Sequence, residues 1–311
     1  MRLRVVSYNV RYFGHPTKGV ASTQLGLDGI AAALTALDPA PHIVCLQEVE
    51  ATSWRSRLTL GGRSRSPWSL QLDFFMDALR RQFRLCGRTS PYEPLYFFAH
   101  AHRLRRLKIA SMGLAVLVDV ERLKVEAHNC AAPHRVTHHS TRVLKERKQN
   151  RICAHVRLSA GEGHPLHVFN THLSLPTPFT RRFWQGERMG FGPNQLEEAK
   201  KLAAYVHRLA GAEPFLLAGD FNSPPGSPVY RYLTEEAGLQ SAQQALGQID
   251  GRSPKEFPTA GFLALRMHLD HLFTSGLKVL DLDGTVRFGD RRSPFAGRSD
   301  HVPLIARIEL P

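Results

Sequence analysis

Phe215-Leu216-Leu217-Ala218-Gly219-Asp220-Phe221-Asn222 begins as four apolar residues and ends in a carboxylate and an amide. A short apolar run closed by turn-forming residues suits a buried strand. Its polar end, continuing through Ser223-Pro224-Pro225-Gly226, could on its own be a simple turn. The same pattern recurs along the chain. Val5-Val6 runs into Ser7-Tyr8-Asn9, Ile43-Val44-Cys45 into Leu46-Gln47-Glu48, and Leu166 onward into Phe169-Asn170-Thr171-His172. Leu269-Asp270-His271 reads as a fifth strand end, and Ser299-Asp300-His301 precedes the last strand. Strand ends gathered at one sheet edge hold side chains rigidly and make a natural site.

The residue types belong together. Asn, Asp and Glu oxygens are hard ligands that suit Mg²⁺ or Mn²⁺. Histidines beside carboxylates suit acid–base work or charge stabilisation at phosphate, and an Asp bonded to a His fixes its tautomer and favours its charged form. No Ser or Cys is paired with a base, so attack by water is the simpler chemistry. Taken singly, Glu48 reads equally as a capping or ion-paired acid, His172 as a structural histidine and Asp300 as a cap on the next strand. Six such coincidences at strand ends are harder to accept than one site.

Strand and helix signals alternate throughout. Leu27, Ile30, Ala31, Leu34 and Leu37 recur at helical spacing until Pro39 and Pro41 stop them. Gln71–Phe83 reads as an amphipathic helix. Leu196, Ala199, Ala203, Val206 and Ala210 mark another, entered through Gly192-Pro193. Strands are expected at 95–98, 110–118, 152–158 and 166–170. In the last strand Leu304, Ala306, Ile308 and Leu310 share one face. Few long helices separate the later strands, so stacked sheets with helices outside are expected rather than one wound parallel sheet.

The 311 residues, 42% hydrophobic and 22% charged, suit a soluble globular chain, read here as one domain over residues 1–311. No segment approaches the roughly 18 apolar residues of a membrane span, and the N-terminus lacks a secretory pattern; a cytoplasmic location is expected. Cys45, Cys86, Cys130 and Cys153 are far apart, which argues against a zinc or redox motif. The formal charge of +14 favours polyanionic partners: nucleic acid, anionic lipid or polyphosphate. No protein partner is indicated.

As an ordered set, Tyr8-Asn9-Val10-Arg11, Leu46-Gln47-Glu48-Val49, Asn170-Thr171-His172-Leu173, Gly219-Asp220-Phe221-Asn222, Leu269-Asp270-His271 and Ser299-Asp300-His301-Val302-Pro303 resemble the motifs of the endonuclease/exonuclease/phosphatase superfamily, the DNase I-like fold. The resemblance implies an α+β, four-layer α/β/β/α sandwich with its site at one end of two sheets. It implies Glu48 as the principal Mg²⁺ ligand, with Asn9 beside it and Asp300 adding a carboxylate. It implies that Asp220 aligns or deprotonates the water, Asn222 holds phosphate or water, His301 contacts the scissile phosphate, and Asp270 orients His301. His172, with Asn170 nearby, becomes a second phosphate-facing group. Several nucleases of the superfamily carry an acid two places after the first Asn. Here that place is Arg11, either a surface arginine or a contact to substrate phosphate.

Three basic, aromatic regions could read a substrate: 54–68, 135–151, and 176–191 with Arg181, Arg182 and Trp184. Such interleaving suits distorted or single-stranded nucleic acid. The leading expectation is a metal-dependent nuclease on DNA or RNA. The alternative is a phosphatase or phospholipase-C-type enzyme on inositol phosphates or lipids, since fold and catalytic set do not choose between them. A nucleic-acid-binding module without chemistry is disfavoured, because every catalytic position is filled.

Overall fold

The computed structural model describes residues 1–14, 22–53, 70–104, 107–138, 150–161, 163–176, 189–252, 257–262, 265–282, 285 and 287–311. Two mixed sheets lie face to face. The first has the order β14 (Lys278–Asp281), β15 (Leu304–Glu309), β1 (Arg2–Asn9), β2 (Ile43–Ser53), β4 (Leu107–Asp119), β3 (Tyr92–Leu104). The second runs β10 (Gln240–Ser241), β13 (Asp270–Ser275), β9 (Phe215–Asp220), β8 (His164–His172), β7 (Ile152–Ala160), β5 (Leu123–His128), with β6 (His134–Arg135) also on β7. A small hairpin pairs β11 (Ala260–Phe262) with β12 (Leu265–Met267).

Strand alternation builds three apolar layers. On β1, Leu3 and Val5 point between the sheets, whereas Val6 and Tyr8 point outward to the helices. β15 behaves the same way: Leu304, Ala306 and Ile308 join the inter-sheet core and Ile305 joins the outer one. The outer face of the first sheet is covered by α1 (Ser22–Thr35) and α2 (Leu70–Leu85). Leu72, Phe75, Met76, Leu79 and Phe83 form the buried stripe of α2 at the expected 3–4 residue spacing. The second sheet buries Phe169, Leu217 and Phe273 against α3 (Pro193–Ala210), through Ala199, Leu202, Ala203 and Val206. The result is the expected α/β/β/α sandwich. No helix among the described residues is long and apolar enough to cross a membrane.

Several strands run further than their apolar runs suggest. β3 and β4 form a long antiparallel pair from Tyr92↔Asp119 to Leu104↔Leu107, because backbone pairing does not require an apolar run. Leu269-Asp270-His271 does not end a strand. It opens β13, and antiparallel pairing of β13 with β9 in the register Asp270↔Asp220 brings it to the expected edge all the same.

A buried polar cluster joins the two sheets. Asn170 on β8 donates from Nδ2 to the carbonyls of Leu46 (3.0 Å) and Ala115 (3.1 Å) on the opposite sheet. Its Oδ1 accepts from Gln47 Nε2 at 2.8 Å, and both side chains are fully buried. On the outer face of the second sheet, His155 Nε2 meets His167 Nδ1 at 2.9 Å, and His167 Nε2 meets Glu213 at 2.6 Å. Burial, then the charges of His167 and Arg157, push the His155 imidazole down to about 4.

Two outcomes are expected. Asn170→Ala strands two carbonyls and the Gln47 amide, and should cost about 3 kcal/mol in a denaturant titration. Folded His155 refuses a proton that the unfolded chain accepts below about 6.5. Its contribution is therefore full above that pH and is lost as pH falls toward about 4, by at most ~3 kcal/mol. Urea midpoints measured across this window should fall less steeply in His155→Gln.

Candidate active site

The topology delivers the polar clusters to one end. Parallel pairing of β1 with β2 sets Asn9 beside Gln47, and parallel pairing of β8 with β9 sets His172 beside Asp220. β15 runs antiparallel to β1 with Leu304 opposite Ser7, so Asp300 and His301 project beyond the same end. Glu48 follows from a distortion. The register of β2 against β4 shifts between Leu46 and Val49, and Glu48 has φ +57°. Without that bulge its side chain would follow Val44 and Leu46 toward the helices. Asn222, at φ +49°, makes a comparable turn after β9.

Asp220 is the hub. Its Oδ2 accepts from Asn9 Nδ2 at 3.0 Å and lies 3.5 Å from His172 Nε2 and 3.7 Å from His301 Nε2. Its Oδ1 accepts from the Asn222 backbone at 2.9 Å. Asn9 Nδ2 also reaches Glu48 Oε1 at 3.2 Å, which lies 4.0 Å from His172 Nε2. Asn9 Oδ1 accepts from the Arg11 backbone N–H, which fixes the amide with its N–H groups toward the two carboxylates. His301 Nδ1 donates to Asp270 Oδ2 at 2.8 Å.

Burial sets the charges. It raises the Asp220 carboxyl to about 7, with Asp270 adding to the rise and His301 and the bonds from Asn222 and Asn9 opposing it. Burial also works against a charged His301, but the pull of Asp270, Asp220 and Glu48 exceeds it and lifts the imidazole to about 9. His172 goes the other way, held well below the usual range by burial, Arg151 and His301. One histidine is thus a cation and the other neutral, on either side of the same carboxylate.

The donor set fits a divalent cation. Asp220 and Asp270 present carboxylate oxygens within 4.8 Å of one another, beside His301, which as a cation adds no ligand. Asp270 Oδ1 is buried without a partner among the described residues. Glu48, partly open to the cleft, shares the Asn9 amide with Asp220. Carboxylate oxygens crowded this closely favour a hard ion.

Other expected residues sit differently. Asn170 lies wholly between the sheets, its amide consumed by Gln47, Leu46 and Ala115; it braces the site from behind and faces no cleft. Asp300 is ion-paired with the Arg11 guanidinium. Asn222 donates from Nδ2 to the Leu173 carbonyl at 2.9 Å, beside His172. Arg181, Arg182 and Trp184 lie outside the described residues, as do 54–68 and 139–149.

Supporting residues carry no strand-end signature. Thr259 Oγ1 donates to Asp270 Oδ2 at 2.6 Å and accepts from the backbone of Leu269 and Asp270. Ser299 Oγ donates to the Asn9 carbonyl at 2.8 Å and accepts from the His301 backbone. Gln195 on α3 donates to the carbonyls of Ser174 and Asn222 and accepts from Gly190 and Gly192. Glu198 accepts from both the hydroxyl and the backbone of Ser174. Only the Ser299-Asp300-His301 motif hinted at any of these.

Residues 6–301 match the Endonuclease/Exonuclease/phosphatase family. The chain belongs to this family. Family members are hydrolases of phosphoester bonds, and the buried Asp–His cluster stands where the matched motifs converge. No curated protein matches the sequence. Among solved structures, the fold is similar to the human Nocturnin catalytic domain with bound sulfate anion (21% identity, covering 100% of this chain and 95% of that one, TM-score 0.62). It is also similar to a Bacteroides thetaiotaomicron mannosyl-6-phosphatase (16%, 99% of each, TM-score 0.59). A third likeness is to truncated Caenorhabditis elegans TDP2 (16%, covering 99% and 98%, TM-score 0.53). At these identities the likeness is one of fold.

The family's Gly219-Asp220 step has a local cause here. A Cβ on Gly219 would lie 2.2 Å from the Thr171 carbonyl oxygen. Gly219→Ala should therefore push β9 off β8 and cost roughly 2–4 kcal/mol, read as a lowered denaturant midpoint.

Proposed function

We propose that the chain is a Mg²⁺-dependent phosphodiesterase in which water attacks phosphorus directly, and that its substrate is nucleic acid. The observation that carries the chemistry is the Asp220 carboxylate, buried between Asn9, His172 and His301, with His301 backed by Asp270. A carboxylate lifted to about 7 is matched to accepting a proton from water near neutral pH. Asn222 and Asn9 hold it in one orientation. His301, kept charged by Asp270, offers Nε2 to a phosphate oxygen as negative charge grows there. His172 Nε2 serves as a second, uncharged donor. A divalent ion held at Glu48 would supply positive charge at a non-bridging oxygen. Mg²⁺ suits these oxygen donors, and Mn²⁺ would substitute.

The net charge of +14 supports nucleic acid over a small phosphomonoester, because a polyanion gains from the whole field of the protein. Mg²⁺-supplied protein should hydrolyse plasmid, single-stranded DNA or RNA. Turnover confined to inositol polyphosphates, sugar phosphates or phospholipids would replace the nucleic-acid assignment while leaving the chemistry intact. Glu48→Gln and His301→Ala should each remain folded and lose turnover by roughly 10³-fold. Near-normal rates in either variant would remove the catalytic assignment.

A further inference from the structure

The third basic, aromatic region ends within the described residues, at Met189, Gly190 and Phe191. Phe191 is 45% exposed, and Leu175, at the other end of the same region, is 51% exposed. A single exposed apolar side chain is ordinary. These two share one bracket. Gln195 Nε2 donates to the Ser174 carbonyl at 2.6 Å, and its Oε1 accepts from the Gly190 and Gly192 N–H groups at 3.1 and 3.2 Å. Leu175 and Phe191 each follow a residue held by this amide.

The bracket is part of the active-site wall. The same Nε2 donates to the Asn222 carbonyl at 3.2 Å, and Asn222 sends its own Nδ2 to the carbonyl of Leu173, next to His172. Gly190, at φ +78°, has no room for a side chain: a Cβ would lie 2.5 Å from Ser227 Oγ and 2.9 Å from Ser223 Cβ. Its carbonyl accepts from the Val229 N–H at 3.3 Å. Phe191 is thus mounted one residue from a backbone pressed against the turn that carries Asn222. It also stands immediately before the N-cap of α3, Gly192. From that place an apolar side chain braces against the fourth helical residue, here Leu196. A brace occupies one side of a ring. It does not account for a phenyl group left 45% open beside a catalytic turn.

We propose that Phe191, with Leu175 beside it, is a stacking platform for a nucleobase flanking the scissile phosphate, and that the strand it accepts is unpaired. The proposal rests on the nucleic-acid reading above and adds to it a contact with the base. A ring on a fixed mount loses little freedom on binding. Every base offers it a flat face, so the contact tolerates any sequence. In a duplex those faces are already stacked on their neighbours, whereas a single strand can turn one outward. Phe191 carries no charge and adds nothing to the attraction for phosphates, so the two contributions separate by experiment.

The test uses the full-length chain carrying His301→Ala, which binds with little turnover, and two fluorescein-labelled single strands of equal length. One strand bears bases and the other is abasic throughout; fluorescence anisotropy gives the affinity for each. Adding Phe191→Ala should weaken the base-bearing strand roughly tenfold and leave the abasic strand unchanged. Phe191→Leu keeps the brace but has no flat face, and should behave as Phe191→Ala does. Equal loss for both strands in Phe191→Ala, or undiminished affinity for the base-bearing strand in Phe191→Leu, would overturn the platform alone. No binding of either strand at low salt would overturn the nucleic-acid reading together with it. Should Phe191→Ala fail to melt cooperatively, Phe191→Leu decides on the same two strands.

Discussion

The site exists because two sheets are held in one lateral register, and a single amide does much of that holding. Hydrophobic faces attract without direction; Leu, Val and Ala side chains between the sheets would tolerate small slides. Asn170 does not. Its amide grips two carbonyls and a glutamine of the opposite sheet in a fully buried space, where a lost hydrogen bond is costly. Asn9 and Glu48 come from one sheet, His172, Asp220 and Asp270 from the other. The distances of 3.0–4.0 Å among them across that boundary follow from this clamp.

Once the sheets are fixed, the chemistry arises from uneven burial. Asp220 and the two histidines are nearly enclosed, so each charge is decided by its nearest neighbour rather than by solvent. Asp270 makes His301 a cation, and burial, reinforced by Arg151 and His301, keeps His172 neutral. The concentration of left-handed backbone at Arg11–Phe13, Glu48 and Asn222 belongs to the same economy. Each positive φ re-aims a side chain that regular strand geometry would have sent elsewhere.

Much of this was legible in the sequence. Alternation in Leu304–Leu310 and the apolar runs before Asn9, Glu48, His172 and Asp220 located the strands, and their polar ends located the cleft. What pattern reading could not see was direction. Asp270 looks like the end of a strand and is the start of one, since pairing sense is a tertiary property. Asn170 looked like a substrate contact because it neighbours His172, but it lies two residues earlier on the same face of β8, and so sits deeper between the sheets, where its amide is taken up by Gln47, Leu46 and Ala115. Thr259, Gln195 and Glu198 gave no signal, being single polar residues whose partners lie far away in the chain. Arg11 was visible as a departure from the motif, while its partner Asp300 could not be paired with it from sequence alone.

The stapling of α3 has a consequence for how this scaffold diversifies. Gln195 and Glu198 fasten Ser174 on one side and Gly190 on the other to the same helix turn. The two anchor points are therefore held by α3, and closing a longer span between fixed ends adds only slowly to the entropic cost. Insertions, deletions or wholesale exchange of that stretch would leave His172 and Asn222 where they are. The mounting of His172 and Asn222 is thus independent of how many residues span the two anchors.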